Sequence, residues 1–203
     1  MALSAQDKIL YVANKLGLSS LNLMQGSTGA VYDVDTDLSG QIFTSASRHV
    51  NPGVTNVTQN EFEVNEALLV ETMAFYVLTG SNTVVRNFQE IYGSEAVIVA
   101  DLIIGNKRVM KNTPVFAAGS PYTFANTGNV LNTSGEGEAQ VYLPRHQVFM
   151  EGAGILIPPQ VQWYVEYRIF NVITGATITP TASTAIGCYL FGTRVLLNFN
   201  TSI

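Results

Sequence analysis

A chain of 203 residues with 47% hydrophobic but only 12% charged residues carries about half the charge of an average soluble domain. Its net charge is −5, and its ten Lys and Arg are scattered apart from "NKRVMK", so direct nucleic-acid binding, which leaves a basic footprint, is not expected. The apolar runs fall short of the roughly 20 residues of a spanning helix, because Glu71 interrupts "LLVETMAFYVL" and Asp101 interrupts "VIVADLII".

The start, "MALSAQDKIL", has neither a basic n-region nor a hydrophobic h-region, so no secretion signal is expected. The single cysteine, Cys188, leaves no internal disulfide and fits a reducing cytoplasm. Residues 4–17 predict a helix. Ser4 is its N-cap, Asp7 sits at N3 where its charge suits the dipole, and Gly17 takes the C′ position. Ile9, Val12, Ala13 and Leu16 form one apolar stripe, which can meet the chain's own sheet or a neighbouring copy. Ile9, Val12 and Leu16 are therefore candidate subunit-interface residues.

From about residue 30 the pattern changes to period two. Strands are predicted in "AVYDVDTDLS", "QIFTSAS" and "EFEVNEALLVETMAFYVL". "SNTVVRNFQEIYG" predicts a short second helix, capped by Ser81 or Asn82 and ended by Gly93, with Val84, Val85, Phe88 and Ile91 facing inward. Strands resume at "AVIVADLII", "TPVFAAG", "EAQVYL", "HQVFM", "VQWYVEYRIF" and "AIGCYLFGTRVLLNF". "RHVNPGVTN", "NTGNVLNTSGEGE" and "VITGATITPTAS" read as loops, and "NKRVMK" (Lys107, Arg108, Lys111) as a solvated turn between Asn106 and Asn112. The expected organisation is a helical arm over 1–29 and one antiparallel β-sandwich over 30–203, with a jelly roll as first choice. The Cys…Trp…Cys spacing of an immunoglobulin domain is missing.

No constellation of catalytic residues stands out, and no cofactor is expected. Asp33, Asp35 and Asp37 form a D-x-D-x-D run that invites a calcium reading, but an EF-hand loop needs Gly and Glu where Leu38 and Thr44 stand. A solvated strand face or loop is the competing reading. His49 and His146 have no partner at metal-ligand spacing, and no His follows the "GILIPP" that begins at Gly154, as a cupin metal site would require. Cys188 lies in an apolar strand, where an inert buried thiol is the default.

The aromatic strand "VQWYVEYRIF" is more informative. Val161, Trp163, Val165, Tyr167 and Ile169 share a core face, while Gln162, Tyr164, Glu166, Arg168 and Phe170 share the other. Aromatics mixed with Arg suit a partner interface, so Tyr164 and Phe170 join the candidate interface residues. An aromatic sugar-binding platform would have a similar composition.

From Leu143 to Phe199 the order of features is "LPRHQVF", then "GILIPP" leading into the aromatic strand, then a polar loop, then "YLFGTRVLL". This order resembles the jelly-roll structural proteins of icosahedral bacteriophages. The resemblance implies a shell subunit made in the host cytoplasm and located in the virion. It would be present in many copies, with copies of itself and other virion proteins as partners and no chemistry of its own. Many small-virus coat proteins carry a basic arm for the genome, and this chain has none. A shell whose inner face meets an internal membrane surface or another protein layer, or a minor structural position, is the expectation that follows. The alternative is a carbohydrate-binding or receptor-binding β-sandwich module.

Overall fold

The computed structural model describes residues 4–18, 24–44, 55–79, 84–86, 88–115, 147–148, 154–181 and 184–197. Local signals shape the first helix, α1 (Ala5–Leu16). Ser4 Oγ accepts from Asp7 N at 3.2 Å and Asp7 Oδ2 accepts from Ser4 N at 3.2 Å, a reciprocal capping box. Gly17 ends the helix at φ 69°, a left-handed conformation that costs glycine little. The arm does not project from the domain. Val12 and Ala13 are buried, and Val12 packs with Ala67, Leu69, Val195 and Leu197 of the same chain. Lys8 Nζ meets Glu71 Oε2 at 2.7 Å, and Thr193 Oγ1 donates to Glu71 Oε1 at 2.8 Å.

Eleven strands follow among the described residues. They are β1 (Gln25–Asp35), β2 (Gln41–Ile42), β3 (Glu66–Thr79), β4 (Val84–Arg86), β5 (Ala96–Ile104) and β6 (Lys107–Val115), then β7 (Gln147–Val148), β8 (Ile155–Ile157), β9 (Trp163–Asn171), β10 (Thr177–Ile178) and β11 (Thr184–Leu196). A short helix, α2 (Phe88–Tyr92), separates β4 from β5.

The strands make two antiparallel sheets, consistent with a β-sandwich. In the first, β1 pairs β11 and β11 pairs β3, while β8, β7 and β4 share the far edge of β3. In the second, β9 pairs β5 and β5 pairs β6, while β2 and β10 share the other edge of β9. The main core lies between the sheets. Leu68, Val70, Met73, Phe75 and Val77 of β3 and Ile186, Cys188 and Leu190 of β11 meet Ile98, Ala100, Leu102, Trp163, Val165, Tyr167 and Ile169. Trp163 is fully buried, with the Phe43 and Phe62 rings 4.7 and 5.5 Å away.

A bulge at Phe191/Gly192 shifts the β11–β3 register. It reassigns faces along β3: Leu68 and Val70 below it and Met73, Phe75 and Val77 above it all point inward. Gly192 is needed there because a Cβ would lie 1.9 Å from Leu69 O.

Three sequence expectations require correction. The helix expected over 81–93 is strand β4 followed by α2, which starts at Phe88. The upper edge of β3 has main-chain groups to satisfy, and β-branched Val84 and Val85 suit a strand, with Leu78 paired to Val85. Phe88 and Ile91 do face the core. The "NKRVMK" cluster lies in β6, because the β5–β6 hairpin turns earlier, at Gly105 and Asn106. Finally, β1 starts at Gln25 rather than near residue 30 and carries the first sheet's edge back to the helical arm.

Candidate interface on the outer face of the second sheet

Strand alternation in β9 holds as the sequence predicts. Trp163, Val165, Tyr167 and Ile169 are buried, whereas Tyr164, Glu166 and Phe170 are half-buried and Arg168 is exposed. The second group looks outward with the outer residues of β5, whose register sets Ile103 beside Tyr164, Asp101 beside Glu166, Val99 beside Arg168 and Val97 beside Phe170.

A charged network crosses the middle of this face. Asp101 is 1% exposed, and an uncompensated carboxylate there would be costly. Its Oδ2 meets Arg108 Nη1 and, at 3.4 Å, Arg168 Nη2, while its Oδ1 accepts from Asn112 N. Arg108 Nη2 continues to Glu166 Oε2 at 2.8 Å, Gln41 Nε2 donates to Glu166 Oε1 at 3.3 Å, and Arg168 Nη2 donates to Asn112 Oδ1 at 2.6 Å. Aromatic and aliphatic side chains flank the network, with Tyr164 and Ile103 at one end and Phe170, Val97 and Val99 at the other. The Arg168 guanidinium stands over the Phe170 ring, 6.0 Å from its centroid. Only Tyr164 and Phe170 of this face carried a sequence signal strong enough to name. A lone acid inside the apolar run "VIVADLII" was the available sign of Asp101's role.

The aspartate run divides between the core and the turn that follows β1. Asp33 and Asp35 are buried, so they do not form a solvated face. Asp33 Oδ2 accepts from Phe43 N at 2.9 Å. Asp35 Oδ1 accepts from Asp37 N, Ser39 N and Ser39 Oγ at 3.1–3.2 Å, and its Oδ2 accepts from Gly40 N at 2.8 Å and Tyr167 OH at 3.0 Å. Asp37 stands exposed beyond the end of β1. The carboxylates thus fold the β1–β2 turn, and Asp35 ties it to the opposite sheet. Among the described residues no three His, Cys, Asp or Glu side chains converge as a metal site would need.

Burial, and then the Asp35 carboxylate, push the Tyr167 phenol well above its usual range. Burial, and then Asp33, do the same to the Cys188 thiol, so this sulfur is not activated as a nucleophile. His49 and His146 lie outside the described residues.

Of the three helix residues expected at a subunit interface, Val12 is buried within the chain and Ile9 and Leu16 are half-buried. Val12 has no exposed surface and meets the chain's own sheet, one of the two places open to the stripe. Leu16 packs on the edge of the same cluster, and Ile9 lies over Gly26, whose missing Cβ makes room for it. Comparisons of the chain with protein families, with curated proteins and with solved structures find no match.

Proposed function

We propose that this chain is a self-assembling structural subunit of an icosahedral phage shell, folded as a jelly roll and acting in the virion beside copies of itself and other shell proteins. The observation that carries the reading is the strand order. Rank β1, β2, β3, β5, β6, β8, β9 and β11 from first to eighth. The first sheet then runs first-eighth-third-sixth, and the second runs second-seventh-fourth-fifth. Such an order supports two interlocked Greek keys, the wiring of double-sheet shell and lectin domains.

The outer face of the second sheet supports assembly rather than sugar binding. A sugar ring stacks on an open aromatic face, and Arg168 already stands over the ring of Phe170. Aromatics and arginines around a pre-organised charge network suit a protein partner. A low charged fraction of 12% leaves much surface suited to neighbours.

Sedimentation of the purified chain should show trimers or larger species. Changing Tyr164→Ser together with Phe170→Ser should weaken assembly by about 2 kcal/mol or more while leaving the subunit's melting nearly unchanged. Trp163→Ala should instead destabilise the subunit by about 3–5 kcal/mol. A stable monomer at micromolar concentration that binds glycans would sink the shell reading in favour of a lectin-like module.

A further inference from the structure

Much of the charge on the described surface is paired within the chain: Lys8 with Glu71, Arg108 with Asp101 and Glu166, Arg168 with Asp101, and Arg194 with Glu66. Two clusters of opposite sign stand outside this pairing. On β6, Lys107 and Lys111 are exposed and make no ion pair among the described residues, and Val109 between them is 45% exposed. In the turn before β3, Glu61 and Glu63 make no ion pair among the described residues. Glu63 accepts from Gln59 Nε2 at 3.3 Å, and the adjacent Val64 is 64% exposed. Each cluster sets one exposed valine beside two like charges, with Arg194 lining the same hollow as Glu61 and Glu63.

The two clusters belong to different parts of the sandwich's chain path. Strand β6 ends the second sheet and lies against β3. The loop that leads to the acidic turn starts along β1, which ends the first sheet on the side where β2 lies. Asn56 fastens it there: its N donates to Tyr32 O at 3.2 Å, its Oδ1 accepts from Tyr32 N at 2.8 Å, and its Nδ2 donates to Ala30 O at 2.8 Å. Beyond Asn56 the loop leaves that edge: Trp163 N donates to Asn60 O at 2.8 Å and Gln160 N to Phe62 O at 2.9 Å, so the acidic turn lies at the end of the sandwich where β9 begins.

We infer that a second copy of this chain docks its acidic turn, residues 61–64, on the basic edge, residues 107–111, of the first. Two copies of a chain with net charge −5 repel on average, so a local basic edge is where a copy approaches favourably. Opposite charges steer the encounter and set its register, and the two valines exclude water between them. Each copy carries both patches, so the contact can be returned within one pair or passed on from copy to copy. Lysines on an edge strand also deter strand-to-strand pairing, so the contact runs through side chains. This inference rests on the reading of the chain as a self-assembling subunit.

Sedimentation velocity on the full chain at micromolar concentration tests it. The variants are Lys107→Glu with Lys111→Glu, Glu61→Lys with Glu63→Lys, and all four changes in one chain, each checked for native melting. Each double variant should lower the association constant at least about tenfold, and the four-fold variant should regain most of it, because opposite charges face each other again. Wild-type association should weaken from about 0.05 M to about 0.5 M salt. If the wild type associates and both double variants match it, or if the four-fold variant stays as weak as they are, this contact is overturned while self-assembly stands. If the wild type is monomeric throughout, the contact and the assembly reading fall together.

Discussion

Replacing Asp35 with Ala removes the acceptor around which the β1–β2 turn closes. Five hydrogen bonds end on its carboxylate, from Asp37 N, Ser39 N, Ser39 Oγ, Gly40 N and Tyr167 OH. They would not weigh equally. Asp37 and Ser39 are exposed, so water can take over their donors at little cost. Tyr167 is 4% exposed, so its hydroxyl would be left buried without this acceptor, and Gly40 is half-buried. A lost bond to a charged acceptor costs about 1.5–3 kcal/mol, with the orphaned donor adding to it, so the expected loss is about 3–5 kcal/mol. Tyr167→Phe, which keeps the turn and removes only the hydroxyl, should cost about 1–2 kcal/mol. Combining the two should cost less than the sum by about 1 kcal/mol, since the orphaned hydroxyl is then gone. Urea titration followed by tryptophan fluorescence measures all three, because the single tryptophan, Trp163, lies in the core on the same strand and face as Tyr167. The titration should be unchanged by calcium. A calcium site at Asp33, Asp35 and Asp37 would raise the midpoint by mass action. A calcium-dependent midpoint, or an Asp35→Ala variant within about 1 kcal/mol of the wild type, would refute the reasoning.

Two other perturbations probe the fold. Gly192→Ala drives a Cβ to within 1.9 Å of a main-chain oxygen and should cost about 3 kcal/mol in a chemical melt; Gly175→Ala, at φ 70° with open space around it, should cost only about 1 kcal/mol. Val12→Asp puts a carboxylate into the apolar seat of α1 and should undock the helix, seen as lost helical circular dichroism over a retained β signal. Undocking in the wild type should be pH-dependent through the cap. The Ser4 hydrogen bonds lower the Asp7 pKa from its ordinary 3.8, so the cap's contribution is complete above that value and fades as pH falls through the lower folded value. Ser4→Ala should remove this dependence.

Period-two patterning made most of the strands legible because each has one face in the core, and α1 was legible because its caps are local. The elements that were misplaced depend on partners distant in sequence. Nothing local in "TVVR" says that the edge of β3 stands open and needs a strand. The "NKRVMK" segment has the composition of a turn, yet its main chain is claimed by β5. The early start of β1 has a related reason: Gln25–Gly29 has weak strand propensity, and its unbroken pairing with Gly192–Leu196 makes it a strand.

The isolated acids in apolar runs carried more information than their use as arguments against membrane spans suggested. Glu71 and Asp101 each interrupt a hydrophobic strand, and each sits on the outward face of its sheet where another element brings a cation, Lys8 from α1 in one case and Arg108 from β6 in the other. A carboxylate in such a strand is tolerated only if it is paired, so a single acid in an otherwise apolar strand points to a cation arriving from elsewhere. The aspartates of β1 follow the same rule with a different donor. They point inward at the strand's end, where the chain reverses and its main-chain N–H groups need acceptors. Asp33 and Asp35 thus serve as acceptors where the first turn crosses from one sheet to the other.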